Sequence, residues 1–259
     1  GVGLAGGGGL GGPSRRRPDE LAAVGERTGV DGAALARTSR LVAKVDGAAV
    51  QDGYALYLHA FFVAADGRWA VVQQGMDTAR SRARRYHWLS EGLASFVDEP
   101  HAAIEGRPGG AIVNLTDRRA APSRDAQLAL AREGPERVLA AVRRIGAGPP
   151  RLVLPAHHEV RASDVFLRRL HGALAAAADR GPVDFADLLL TPGLGARTVL
   201  ALALAAEVIH GAQCRFADPA RFLDVLGYRV EAGKVVSAEE LSEEQEKARR
   251  DYFSTSGQP

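Results

Sequence analysis

The residues best suited to chemistry crowd into the N-terminal half, inside otherwise apolar runs. They are Lys44 and Asp46 in Leu41-Val-Ala-Lys-Val-Asp46, then Gln51 and Asp52, His59, Gln73 and Gln74, and Arg84-Arg85-Tyr86-His87-Trp88. Polar groups embedded in apolar segments cost free energy unless satisfied, so their density points to a polar pocket. Asp46 and Asp52 are hard oxygen donors for a divalent ion, and His59 or His87 beside them suits Mn²⁺, with Mg²⁺ as the substitute. Lys44 could stabilise charge developing on a phosphate. Each residue also has a plainer use. Lys44 and Asp46 could be a surface pair, His59 a satisfied core histidine and Gln73 the cover of an exposed sheet face. His157-His158-Glu159 resembles a metal cluster, but adjacent histidines do not share a face, so only one could act with Glu159.

A second constellation lies far along the chain. Phe185 to Leu190 reads as a short helix, Thr191-Pro-Gly-Leu-Gly195 as a tight turn, and Ala196-Arg197-Thr198 as the opening of a strongly apolar helix. Gly193 and Gly195 allow close backbone approach and φ angles closed to other residues. The free amides of the second helix, aided by its dipole, would face an anion, with Ala196, Arg197 and Thr198 beside it. Leu194 is the apolar pin of the turn. Such contacts read phosphates and not bases.

The elements that must position these groups follow from pattern. Pro18-Asp19-Glu20 opens a helix that Gly29 ends, and Asp31 caps a second helix running towards Arg40. Tyr54 to Val63 and Trp69 to Met76 flank Asp66-Gly67, a hairpin signature. A two-residue turn there sets His59 opposite Gln74 and sends Gln73 to the other face. Thr78 to Asp98 reads as a basic helix, whose Arg82, Arg84 and Arg85 are candidate phosphate contacts beside aromatic residues. Ala111 to Leu115 is a strand, and Ser123 to Ile145 is two helical pieces broken at Gly134-Pro135. Gly146 to Pro150 reads as a linker, Arg151 to Pro155 as extended, and Ser163 to Asp179 as a helix. The expected fold is α+β: a flexible glycine-rich end (1–12), a mixed domain with an antiparallel hairpin (13–146), a helical DNA-gripping domain (151–227) and a polar tail (228–259).

Composition narrows the function. A net charge of +2 over 259 residues is too even to announce a nucleic-acid binder, so that role must rest on local charge. The single cysteine, Cys214, excludes a disulfide framework or an iron–sulfur cluster held by this chain alone. No run reaches the roughly 20 apolar residues of a membrane span, and there is no secretory signal pattern, so a cytoplasmic location is expected. The absence of an initial methionine suggests a processed or truncated product.

Two resemblances sharpen the reading. The segment around Gly193 is similar to the helix-hairpin-helix of DNA repair proteins. Some glycosylases with that hairpin place a nucleophilic lysine where this chain has Arg197, which cannot be deprotonated to attack a sugar. The strings Ser39-Arg-Leu-Val-Ala-Lys-Val-Asp46, Val50-Gln-Asp-Gly-Tyr54, Trp69-Ala-Val-Val-Gln-Gln-Gly-Met76, Ala83-Arg-Arg-Tyr-His-Trp88 and Leu154-Pro-Ala-His-His-Glu159 look like the family catalogued as domain of unknown function 763, over about Ser14 to Phe222. That resemblance implies a manganese-dependent DNA nuclease acting as a homodimer, with Lys44, Asp46, Gln51, Asp52, Gln74 and His87 as pocket residues. Family members usually carry a further N-terminal segment. The expected function is therefore metal-dependent phosphodiester hydrolysis on DNA. The alternative is a non-catalytic DNA-binding or scaffold protein of a repair complex. Convergence of Asp46, Asp52 and a histidine on one point separates the two.

Overall fold

The computed structural model describes residues 2–8, 17–147, 164–221, 228–231 and 234–238. The stretch 151–155 and the cluster His157-His158-Glu159 lie outside the described residues, as do residues 148–150 of the expected linker. The linker's first two residues belong to a helix, α4 below.

Helix α1 (Arg17–Thr28) is followed by Gly29 at φ +75°, a left-handed stop that suits glycine. Asp31 then caps α2 (Gly32–Lys44), its carboxylate accepting from the amides of Ala33 and Ala34 at 2.9 and 3.0 Å. Helix α2 widens into a π-helical turn, Val45–Ala49, before the short strand β2 (Val50–Gln51). Such turns are rare and often sit at functional positions. Here Asp46 rides on the π turn and is 1% exposed.

The main sheet is antiparallel, in the order β1-β3-β4-β5-β6, from β1 (Val2–Gly8), β3 (Ala55–Ala64), β4 (Trp69–Asp77), β5 (Arg82–Leu89) and β6 (Ala103–Glu105). The glycine-rich end expected to be flexible supplies β1, which pairs with β3 from Val2↔Ala64 to Gly8↔Leu58. It covers the row of backbone donors and acceptors that β3 would otherwise expose as an edge.

The expected hairpin forms, but one residue out of register. Ala64 donates to the Arg68 carbonyl, so the loop is Ala65-Asp66-Gly67, with Gly67 at φ +85°. A three-residue loop closed by a left-handed glycine is the next commonest hairpin turn after the two-residue one. Asp66 favours it by accepting from the Arg68 amide. His59 therefore faces Gln73, and Gln74 faces Leu58 on the opposite side of the sheet. The basic helix expected over Thr78 to Asp98 is instead β5 with flanking turns. Arg84, Tyr86 and Trp88 alternate inwards while Arg85, His87 and Leu89 point outwards, a period of two that no helix can satisfy.

A smaller antiparallel sheet joins β2 to β7 (Ala111–Asn114) and β8 (Arg215–Ala217). Helix α3 (Ala121–Glu133) breaks at Gly134, φ +100°, and Pro135 starts α4 (Pro135–Ala147), as expected. Then come α5 (Asp164–Arg180), α6 (Phe185–Leu189) and α7 (Ala196–His210). Strands β9 (Tyr228–Glu231) and β10 (Lys234–Ala238) pair where a polar tail was expected. Helix α7 is buried all round from Thr198 to Ala206, the mark of a central helix. It packs on α3, α4 and the π turn, so one apolar cluster runs from Leu21 to Ala220. The mixed α and β architecture with antiparallel sheets agrees with the expected class.

Candidate functional site

Asp46 is the hub of a buried polar chain. Its Oδ2 accepts from Gln73 Nε2 and, at 3.0 Å, from Trp88 Nε1, while Oδ1 lies 2.5 Å from His101 Nε2. Gln73 uses its amide nitrogen on Asp46 and the Val42 carbonyl, so its Oε1 must accept. His59 Nδ1–H therefore donates to that oxygen at 2.7 Å, and His59 Nε2 accepts from the Ser39 hydroxyl at 3.0 Å. The tautomers follow from this network: Ser39 to His59 to Gln73 to Asp46, with His101 donating from the far side. Continuous satisfaction is what makes such a chain tolerable in a core. The π turn presents Asp46 to the inner face of β4 and β5, where the one-residue shift in register has put Gln73 beside His59.

Asp52 is occupied by a different set. Its Oδ2 accepts from Arg84 at 2.7 Å and Tyr86 Oη at 2.6 Å, and its Oδ1 accepts from the Tyr54 amide. Arg84 turns its other nitrogen to Asp218 at 2.7 Å and to the Arg107 carbonyl, and lies over the Tyr54 ring at 4.5 Å. The guanidinium and both carboxylates are essentially solvent-free. Burial pushes the Asp52 carboxyl up, and Arg84 and Tyr86 pull it back. Burial, with Asp52 alongside, holds the Tyr86 hydroxyl far above the ordinary phenol range, so it stays protonated and donates.

Lys44 and Gln51 reach the other constellation. Lys44 Nζ donates to the Leu194 carbonyl, and Gln51 Nε2 donates to the carbonyls of Ala48 and Ala196 at 2.9 Å. Half-burial lowers the Lys44 ammonium from its ordinary value. The segment carrying Asp46 thus fastens the turn between α6 and α7 at two points. Within that turn Leu194 is fully buried and donates its amide to Thr191. Asp184 caps α6 through the Asp187 amide at 2.6 Å. Gly193 takes φ +80°, as expected of it. Gly195 does not: its φ of −125° and ψ of −175° are extended values open to any residue. It holds the cap position of α7 without a side-chain cap, ahead of Ala196, Arg197 and the mostly buried Thr198.

The remaining candidates lie apart. Gln74 and His87 point away from the core, on the outer face of the sheet. His87 and Arg85 lie 3.7 and 3.8 Å from Glu105. Arg82 is exposed at the start of β5, and Arg84 is buried and paired, so it is closed to a phosphate. The expected Mn²⁺ ligands Asp46, Asp52, His59 and His87 do not meet. Asp46 and Asp52 are engaged by different protein donors, His59 is bound to Gln73 and Ser39, and His87 is across the sheet. Among the described residues no group of three or more His, Cys, Asp or Glu side chains is placed to hold a metal ion. That ligand set does not fit one ion.

A family model described as "Protein of unknown function (DUF763)" matches residues 1–229. The chain belongs to the DUF763 family. The match extends beyond the five strings that carry the resemblance, on both sides. No curated protein and no solved structure matches the chain.

For this DUF763 member, two central residues escaped the sequence reading. Asp218 completes the clamp on Arg84 across 134 residues, and a lone Asp near the end of a short strand gives no hint of that. His101 follows Glu99-Pro100 in an irregular stretch whose residues carry no periodicity. Yet it lies within hydrogen-bonding distance of Asp46 and lines a cleft of about 380 Å³. Glu99, Asn114, Thr116, Asp117 and Arg221 share that cleft.

Proposed function

We propose that this protein is a DNA-directed phosphodiesterase of DNA repair, acting in the cytoplasm and holding the sugar-phosphate backbone on the turn between α6 and α7. One observation carries the reading. Its own chain neighbours aside, a Cβ at Gly195 would meet no atom of the described residues within 4 Å, and the backbone there is open to any residue. Nothing among the described residues requires glycine at that position. A phosphate seated on the first-turn amides of α7 does, because a side chain would stand in its path. The fastening of the turn by Lys44 and Gln51 supports the same reading, since a grip must be held in place to orient a strand.

The test is Gly195→Val, measured by affinity for labelled single-stranded, duplex and stem-loop DNA. A β-branched residue fits the extended backbone, so the melting temperature should stay put while affinity falls by about tenfold or more. Undiminished binding would move the interface elsewhere. Cleavage of the same substrates is followed with and without Mn²⁺, because the expected ligands do not converge. The second reading, a non-catalytic DNA-binding protein, is favoured by the protein donors that already occupy Asp46 and Asp52. It predicts intact binding with no cleavage under either condition.

A further inference from the structure

We infer that the cleft walled by His101 is a proton-transfer site for phosphodiester hydrolysis, with His101 as the general base and Asp46 as the residue that positions it. Only the choice of substrate rests on the backbone-binding reading; the site itself rests on its own geometry. Asp46 is 1% exposed, and its Oδ1 lies 2.5 Å from His101 Nε2. Its Oδ2 is already held by Gln73 and Trp88, so the carboxylate cannot swing. A carboxylate that only accepts fixes the proton of a neutral imidazole on Nε2 and leaves the lone pair on Nδ1. The ring is pinned further by Trp88, with centroids 4.5 Å apart. No hydrogen bond engages Nδ1 among the described residues, and the ring lines the cleft.

The charges around the cleft favour an anion. Glu99 is paired with Arg118 and Asp117 with Arg119, each at 2.7–2.8 Å. Arg221 is exposed at the cleft and has no ion-pair partner among the described residues. Asn114 Oδ1 is taken by the Thr116 amide and hydroxyl, which orients the Asn114 side chain within the wall. Arg221 would hold the non-bridging oxygens of a phosphodiester. His101 Nδ1 would take a proton from water as the water oxygen bonds to phosphorus. The bond from phosphorus to the leaving oxygen breaks, that oxygen takes a proton from solvent, and the imidazolium returns its own to solvent. One water is consumed and nothing is oxidised or reduced.

The experiment uses the full chain on labelled single-stranded DNA and on bis(4-nitrophenyl) phosphate, which needs no grip on a strand. His101→Ala should cut turnover by about 100-fold or more, and added imidazole should restore part of it. Rescue is a readout that a merely structural histidine would not give. Asp46→Asn should lower kcat with little change in KM. Arg221→Met, at an exposed side chain with no ion-pair partner among the described residues, should raise KM instead. Should His101→Ala unfold, Arg221→Met and His101→Gln carry the test. Hydrolysis of neither substrate, hydrolysis of 4-nitrophenyl acetate alone, or wild-type rates in folded His101 and Arg221 variants would overturn the site. His101-dependent hydrolysis of the small diester without any DNA binding would uphold the site and sink only the DNA-grip reading.

Discussion

Asp52, Arg84 and Asp218 set one buried positive charge between two buried negative ones, and the balance of that triad decides what a change at Asp52 does. A carboxylate free to ligate a metal would lose activity on conversion to Asn and keep its fold. Here the carboxylate accepts from a solvent-free guanidinium and from the Tyr86 hydroxyl, and converting it to an amide leaves Arg84 paired with Asp218 but weakens both of those bonds. A hydrogen bond to a charged group is worth about 1.5–3 kcal/mol, and the amide oxygen of Asn keeps part of it, so Asp52→Asn should destabilise by about 1.5 kcal/mol. Urea unfolding would read this as a lowered midpoint with an unchanged slope. A stability within about 0.5 kcal/mol of wild type, the range typical of a surface change, would mean the pair is not the clamp the geometry makes it.

Elements differ in how far their own residues determine them. The Asp31 cap, the Gly134-Pro135 break, the hairpin around Asp66-Gly67 and the helices on either side of Gly193 are local devices, so local chemistry reveals them. The register of that hairpin turned on whether Ala65 belongs to the loop. The choice lies between two permitted turns, yet it exchanged Gln74 for Gln73 in the core. Strand β5 was misread because its arginines suggest a solvated helical face. Only the salt bridges of Arg84 to distant carboxylates explain a buried arginine in a strand. The dyad of His101 and Asp46 spans 55 residues through an irregular loop, beyond the reach of any periodicity. At the turn between α6 and α7, Leu194 carries a prediction of its own. It is fully buried and belongs to the continuous apolar cluster. Leu194→Ala should cost about 2–5 kcal/mol, the range for buried leucines that leave a cavity. Because the apolar cluster is continuous, the loss should appear in a single cooperative unfolding transition. A separate early transition of the helical segment would show that the turn is a module with its own stability.

Across the whole molecule, charge sets how tightly and how selectively DNA would be held on the proposed reading. The net charge of +2 gives no broad basic field, and the arginines that looked like a phosphate-binding helix are dispersed. Arg84 is buried between carboxylates, and Arg85 lies on the outer face of the sheet, away from the core side that carries the π turn. Near that turn, Arg37 and Arg180 both lie against Asp187, and Lys44 is committed to the Leu194 carbonyl. Arg197 is exposed and has no ion-pair partner among the described residues. Backbone amides hold a phosphate without adding a cation that displaces condensed counterions. A single neutralised phosphate on single-stranded DNA contributes a slope of about −0.7 in log K against log salt. The affinity should therefore fall only gently with salt, with a slope of about −1, and be alike for unrelated sequences. Arg197→Gln should flatten the slope by about 0.7 while Gly195→Val weakens binding at every salt concentration. Titrations at several ionic strengths would decide the matter. A slope of about −5 or steeper would mean that several cations engage the strand together, and the interface would then be a basic surface away from this turn.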